Sequence, residues 1–181
     1  MLKITIPASE YWDEKKEEFI QTKETTLQLE HSLVSVAKWE SKYEKEFLSK
    51  EAKTHEETIY YIKCMTLTQN VDPSVYERLT GQNIIDINNY IEAPMTASSV
   101  REEKLPGGTN RERVTSELIY YWMIALNIPF ECQKWHLNRL LMLIRICNAK
   151  NRPPKKRSAR DLYQHHNAVN AANRKRFHSR G

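Results

Sequence analysis

Apolar and polar residues alternate near the N-terminus, then recur at three- and four-residue intervals through most of the chain. Leu2, Ile4 and Ile6 are separated by Lys3 and Thr5, and Leu27 and Leu29 stand among Thr26, Gln28 and Glu30. A period of two lets an extended strand bury one side, so these two runs are expected to pair as a small antiparallel sheet. Residues 8–24 between them are rich in acids and lysines, with Tyr11, Trp12, Phe19 and Ile20 as the large apolar groups, and read as a short helix or an ordered loop.

From Ser32 the spacing changes. Val36, Trp39, Tyr43 and Phe47 fall three and four apart, which places them on one face of a helix. A second helix is expected to begin at Thr54, whose hydroxyl can cap it while Glu57 reaches back in a capping box; Ile59, Ile62 and Met65 or Thr66 supply its buried stripe. A third is bracketed by Asp72 as N-cap with Pro73 in the first turn, and by Gly81, which can close it in the left-handed conformation; Val75, Tyr76 and Leu79 form its face. Ile84, Ile87 and Ile91 mark a fourth helix ending before Pro94.

Residues 94–110 hold two prolines and the adjacent Gly107 and Gly108 without any period, the pattern of a long loop. Beyond it, Val114, Leu118, Tyr121, Trp122 and Ala125 predict an amphipathic helix interrupted over residues 127–129. The stretch 132–149 is the most apolar of all, leaving a narrow polar strip of Asn138, Arg139, Arg145 and Asn148. It predicts either the central core helix or a face covered by a partner. Pro153 and Pro154 end it, since each lacks a backbone donor and disfavours helical geometry in the residue before it. In the last segment, Ser158 and Asp161 form another capping-box candidate, with Leu162, His165 or His166, Val169 and Ala172 on a thin stripe. The expected architecture is mainly α: short N-terminal strands and a helical bundle in one domain over 1–149, then a basic helical arm over 150–181.

Charge sharpens that division. Residues 150–181 carry ten Lys/Arg and one acid, a formal +9, while the other 149 residues carry 18 basic and 22 acidic side chains, a formal −4. An anionic partner is therefore confined to the arm, where Lys155, Lys156, Arg157, Arg160, Arg174, Lys175 and Arg176 cluster. Several of these could meet phosphates together, with Tyr163 and Phe177 available to stack on bases, so nucleic-acid binding is one function class to weigh. The competing reading is a solvated arm, or one that docks on the acidic body of a neighbouring copy.

Catalytic signatures are missing from the sequence: no GxSxG, Walker-type loop, HExxH or dinucleotide fingerprint occurs. Carboxylates such as Glu14, Glu17, Glu18, Glu102 and Glu103 lie in mixed charge runs typical of a solvated face. Cys132 and His136 stand four apart without a second ligand pair, which leaves a buried thiol beside a satisfied histidine. Three cysteines without CxxC spacing suit structural thiols in a reducing compartment. No enzyme activity, metal or cofactor is expected. No apolar run approaches the ~20 residues that span a bilayer, and the first residues lack the apolar core of a secretory signal, so no membrane role is expected.

The runs LQLEHSLVSVAKWESKY, CMTLTQNVDPSVYERL, YIEAPMTA, SELIYYWMIALNIPFECQKWHLNRLLMLIRICNAKNRPPKK and NAANRKRFHSRG together resemble a family of small tailed-bacteriophage proteins, the tail assembly chaperones of the siphophage type. The resemblance covers about residues 25–181. It implies a protein of the host bacterial cytoplasm that binds the long helical tape-measure protein, shields its apolar faces, and leaves as the tail tube polymerises; such chaperones are often also made in a longer, frameshifted form. A client of this kind needs an exposed apolar face, and Trp122, Trp135, Leu137, Leu141 and Ile144 are the candidate client or self-association residues, each with core packing as its alternative. A homo-oligomer is expected. The second function class is a structural tail or baseplate protein that stays in the virion, and the third is the nucleic-acid binder.

Overall fold

The computed structural model describes residues 1–13, 18–100, 113–151 and 159–178. The fold is mainly α with short N-terminal strands: four strands and seven α-helices occur among the described residues. They fall into two compact units that divide between Lys150 and Asn151.

The two alternating runs pair as expected. β1 (Leu2–Ile6) and β4 (Thr25–Leu29) are antiparallel, with Ile4 opposite Leu27 and Leu2 opposite Leu29. Ile4, Ile6, Leu27 and Leu29 are buried while Lys3, Thr5, Thr26 and Gln28 stay exposed. Full burial of each large aliphatic group is worth about 1.5–3 kcal/mol, which fixes the register of a short sheet, because a one-residue slip would turn every one of them outward.

Residues 8–24 are not the helix or loop expected of them. β2 (Ser9–Asp13) and β3 (Glu18–Thr22) form a second antiparallel pair. Its register continues that of the first, Ile6 lying opposite Thr25 and Ser9 opposite Thr22, so the four strands make one long ribbon interrupted at Pro7. Proline has no N–H for the ladder. Arg78 bridges the interruption, its guanidinium donating to Pro7 O (3.2 Å) and Thr22 Oγ1 (2.8 Å). High surface charge had hidden this ribbon from a reading based on alternation.

α1 (Leu33–Tyr43) starts at the Ser32 cap and stops at Glu44, which takes the left-handed conformation at φ 53°. Phe47, expected on the same helical face, is therefore beyond the helix. It still reaches the core, because the chain turns back and its N–H donates to the buried carboxylate of Glu40 (2.9 Å), setting the ring 4.1 Å from Tyr61 and 5.2 Å from Trp39. α2 (His55–Met65) opens with the Thr54/Glu57 capping box, both reciprocal bonds being present, and buries Tyr61, Ile62 and Met65. Past its end, Leu67 N–H donates to Gln28 O (2.8 Å), which covers the outer edge of β4.

α3 (Ser74–Glu77) is one turn only, with Asp72 Oδ1 accepting from Ser74 N–H. Gly81 does not close it. Gly81 instead opens α4 (Gly81–Glu92), whose cap is a Thr80/Asn83 box that the glycine-as-terminator rule obscured. α4 ends before Pro94 as expected, with Ile87 and Tyr90 buried. Most of the expected 94–110 loop, together with residues 111–112, lies outside the described residues.

α5 (Ser116–Ala125) buries Ile119 and Met123, whereas Tyr121 and Ala125, expected on the inner face, are exposed. Its sequence, SELIYYWMIA, is apolar almost all round, so periodicity cannot choose a face. A Schellman arrangement closes it: Asn127 is left-handed at φ 52°, its N–H donates to Ile124 O (3.1 Å), and Ile128 N–H donates to Met123 O (2.8 Å). The continuous helix expected over 132–149 is divided. A 3₁₀ turn spans Phe130–Lys134, and α6 (Leu137–Asn151) begins only after the backbone at His136 has paired with Ser32 and Leu137 N–H has donated to His31 O (2.7 Å).

In the second unit, α7 (Ala159–Phe177) is a helix, and each of its side chains that the structure describes is exposed. Lys155, Lys156, Arg157 and Ser158 lie outside the described residues, so the Ser158/Asp161 capping box does too.

Candidate functional site

Two histidines sit at the junction of β4, α1, α4 and α6. The His31 and His136 rings lie 5.0 Å apart, edge to face, both buried. His136 Nε2 donates to Tyr90 O (2.9 Å) and Nδ1 accepts from Asn138 N–H (3.3 Å), which fixes its neutral tautomer. Tyr61 hydroxyl meets His31 Nδ1, and Tyr90 hydroxyl donates to Glu30 Oε1 (2.7 Å). Burial, with His136 as the lesser cause, pushes His31 down to about 3; burial lowers His136 and raises Tyr61 well above the ordinary phenol. The pair is a closed structural network. Cys132 lies in the 3₁₀ turn with a buried side chain, and no cluster of three or more metal-ligating side chains occurs among the described residues.

The surface is more informative. An apolar groove of about 640 Å³ runs between α5, α6 and the segment after α1, walled by Leu48, Val114, Trp122, Leu141 and Ile144 and rimmed by Lys50, Arg113 and Arg145. Adjoining it is a hollow of about 660 Å³ with five carboxylates, Glu40, Glu44, Glu46, Glu51 and Glu117, against two cations, Lys45 and Arg113. The divide between them is an ion pair, Arg113 Nε to Glu46 Oε1 at 3.2 Å.

Glu40 holds both walls. Its carboxylate is buried, and besides Phe47 N–H it accepts from Ser116 N–H (2.7 Å), the first residue of α5. One side chain of α1 thus ties down the chain leading to Leu48 and the N-terminus of the helix that carries Trp122. A glutamate inside an amphipathic helix reads as solvated, so its role gave no signal in the sequence.

Of the five apolar residues singled out in the sequence, Trp122, Leu141 and Ile144 come together in the groove. Leu137 does not belong to any partner surface: it is fully buried in the core at the start of α6. Trp135 is half-buried with the Arg139 guanidinium 4.3 Å over its ring, and it does not line the groove. Leu48 and Val114, which no periodicity marked as functional, complete the walls. On the outer side of α5, Tyr121 (62% exposed) and Ile124 (61%) are uncovered, with Phe130 (52%) on the turn that follows.

The described members of the basic cluster, Arg160, Arg174, Lys175 and Arg176, lie on α7, with Tyr163 and Phe177 about two-thirds exposed. Among the described residues no helix is long and apolar enough to cross a membrane. No protein-family model, curated protein or solved structure matches this chain.

Proposed function

We propose that this chain is a tail assembly chaperone of a tailed bacteriophage, acting in the host cytoplasm, and that the groove walled by Leu48, Val114, Trp122, Leu141 and Ile144 receives an amphipathic segment of the tape-measure protein. The observation that carries the proposal is the groove itself: large aliphatic and indole groups left half-uncovered beside the exposed Tyr121 and Ile124 of α5. A helix that docks in such a groove presents residues at i, i+3, i+4 and i+7, the repeat of a long helical client, and burial of apolar surface drives the association. The chaperone role comes from the resemblance over residues 25–181.

The test is co-expression with the tape-measure protein of the same phage, nuclease treatment, a high-salt wash, and size-exclusion chromatography with light scattering. A stoichiometric complex that survives salt is expected, because apolar contacts are not screened. Leu48→Asp, at a groove position already exposed, is expected to weaken that complex without unfolding the chain. Elution of the chain alone, with stoichiometric amounts of it in purified virions, would replace the chaperone role with that of a retained tail component.

A further inference from the structure

We infer that the apolar groove and the acidic hollow beside it also receive α7 of a second copy of this chain, giving a reciprocal two-fold dimer. The inference goes beyond the client reading and does not depend on it.

The plug is visible on α7. A 19-residue helix is about 28 Å long and marginally stable without packing, yet every described side chain of α7 is exposed. Leu162 and Val169 stand seven apart with His166 between them, an apolar stripe on the first three turns. Arg174, Lys175 and Arg176 follow in the last turn. The helix is therefore apolar first and cationic after, with about 9 Å of axis between Val169 and Lys175.

The body carries the same order in complementary form. The groove offers apolar walls, and the hollow that adjoins it offers Glu44, Glu51 and Glu117. Orientation follows from the rims. Lys50, Arg113 and Arg145 around the groove repel the cationic end of α7, while the hollow attracts it, so the stripe of Leu162 and Val169 is directed to the groove and the Arg174–Arg176 turn to the hollow.

The partner is a second copy because groove and plug occur on one chain, so a single two-fold exchange satisfies both grooves and both arms at once. In sequence, the diproline Pro153-Pro154 stands between α6 and α7, a composition that favours spacers over reversals.

The experiment uses the full-length chain after nuclease treatment, with sedimentation velocity across a dilution series at low and high salt. The expected species at high concentration has twice the 21.4 kDa chain mass, and added salt weakens it. Leu162→Asp with Val169→Asp, both at exposed positions, is expected to raise the dimer Kd at least about tenfold, or about 1.4 kcal/mol, with the thermal transition of the body unchanged. Charge reversal isolates the geometry. Glu44→Lys with Glu51→Lys in one preparation, and Arg174→Glu, Lys175→Glu and Arg176→Glu in another, are each expected to weaken self-association, and an equimolar mixture is expected to restore it, since each groove then meets the opposite charge on the other copy. A monomer at all concentrations, a dimer indifferent to the α7 substitutions, or a mixture that fails to recover would overturn the inference. So would a dimer that falls apart when nuclease removes bound nucleic acid.

Discussion

Replacing Glu40 by glutamine changes one oxygen for an amine and should loosen both walls of the groove. The carboxylate accepts from Phe47 N–H at 2.9 Å and from Ser116 N–H at 2.7 Å in a site where the residue is 7% exposed. A buried hydrogen bond to a charged group is worth about 1.5–3 kcal/mol, and a donor left unmet loses a comparable amount. Glutamine keeps one acceptor and turns its NH₂ toward the other N–H, so Glu40→Gln should cost about 1.5–3 kcal/mol. Glu40→Ala loses both bonds and should cost about 3–6 kcal/mol. At about 2–4 °C per kcal/mol for a chain of this size, the glutamine variant should melt about 3–12 °C lower in scanning calorimetry. Hydrogen exchange gives the local readout: the Phe47 and Ser116 amides should lose protection ahead of the core strands. Glu44→Gln, one turn away and exposed, serves as the control and should stay within about 0.5 kcal/mol. If Glu40→Gln behaved like that control, or cost as much as the alanine, the paired-acceptor account would be wrong.

Three further outcomes follow from the same geometry. His31 is held neutral in the fold with its pKa lowered from 6.5 to about 3, so the unfolded chain binds its proton first; stability is fully present above pH 6.5 and should fall by up to about 1.4 kcal/mol per pH unit from there toward pH 3. Urea unfolding at pH 7 and pH 5, a window in which carboxylates stay ionised, should show this slope, and His31→Gln should flatten it; an unchanged slope in the variant would assign the acid sensitivity elsewhere. Thr54→Ala removes the capping-box hydroxyl of α2 and should cost about 1 kcal/mol by chemical denaturation. Gly81→Ala should be neutral or stabilising by up to about 1 kcal/mol, because Gly81 is the first residue of α4 and an added Cβ meets nothing within 4 Å; a marked loss would restore the left-handed terminator that the sequence suggested.

Local chemistry alone determined a good part of this protein. The capping box at Thr54 needs only residues three apart, the alternation of Leu2, Ile4 and Ile6 needs only a pleat, and Pro94 stops α4 through its own backbone, so each was legible before any tertiary contact existed. The division of charge between body and arm was equally plain, being a property of composition. Tertiary structure decided whatever depended on a competitor or on a distant segment. α5 is apolar on every side, and only packing against α1 selected Ile119 and Met123 and left Tyr121 and Ile124 outside. Phe47 reached the core through a turn held by Glu40, and α6 began at Leu137 because residues 31–32, a hundred positions earlier, took its backbone into a bridge. The groove belongs to this second kind: Leu48, Val114, Trp122, Leu141 and Ile144 share no period, and folding alone brings them to one surface.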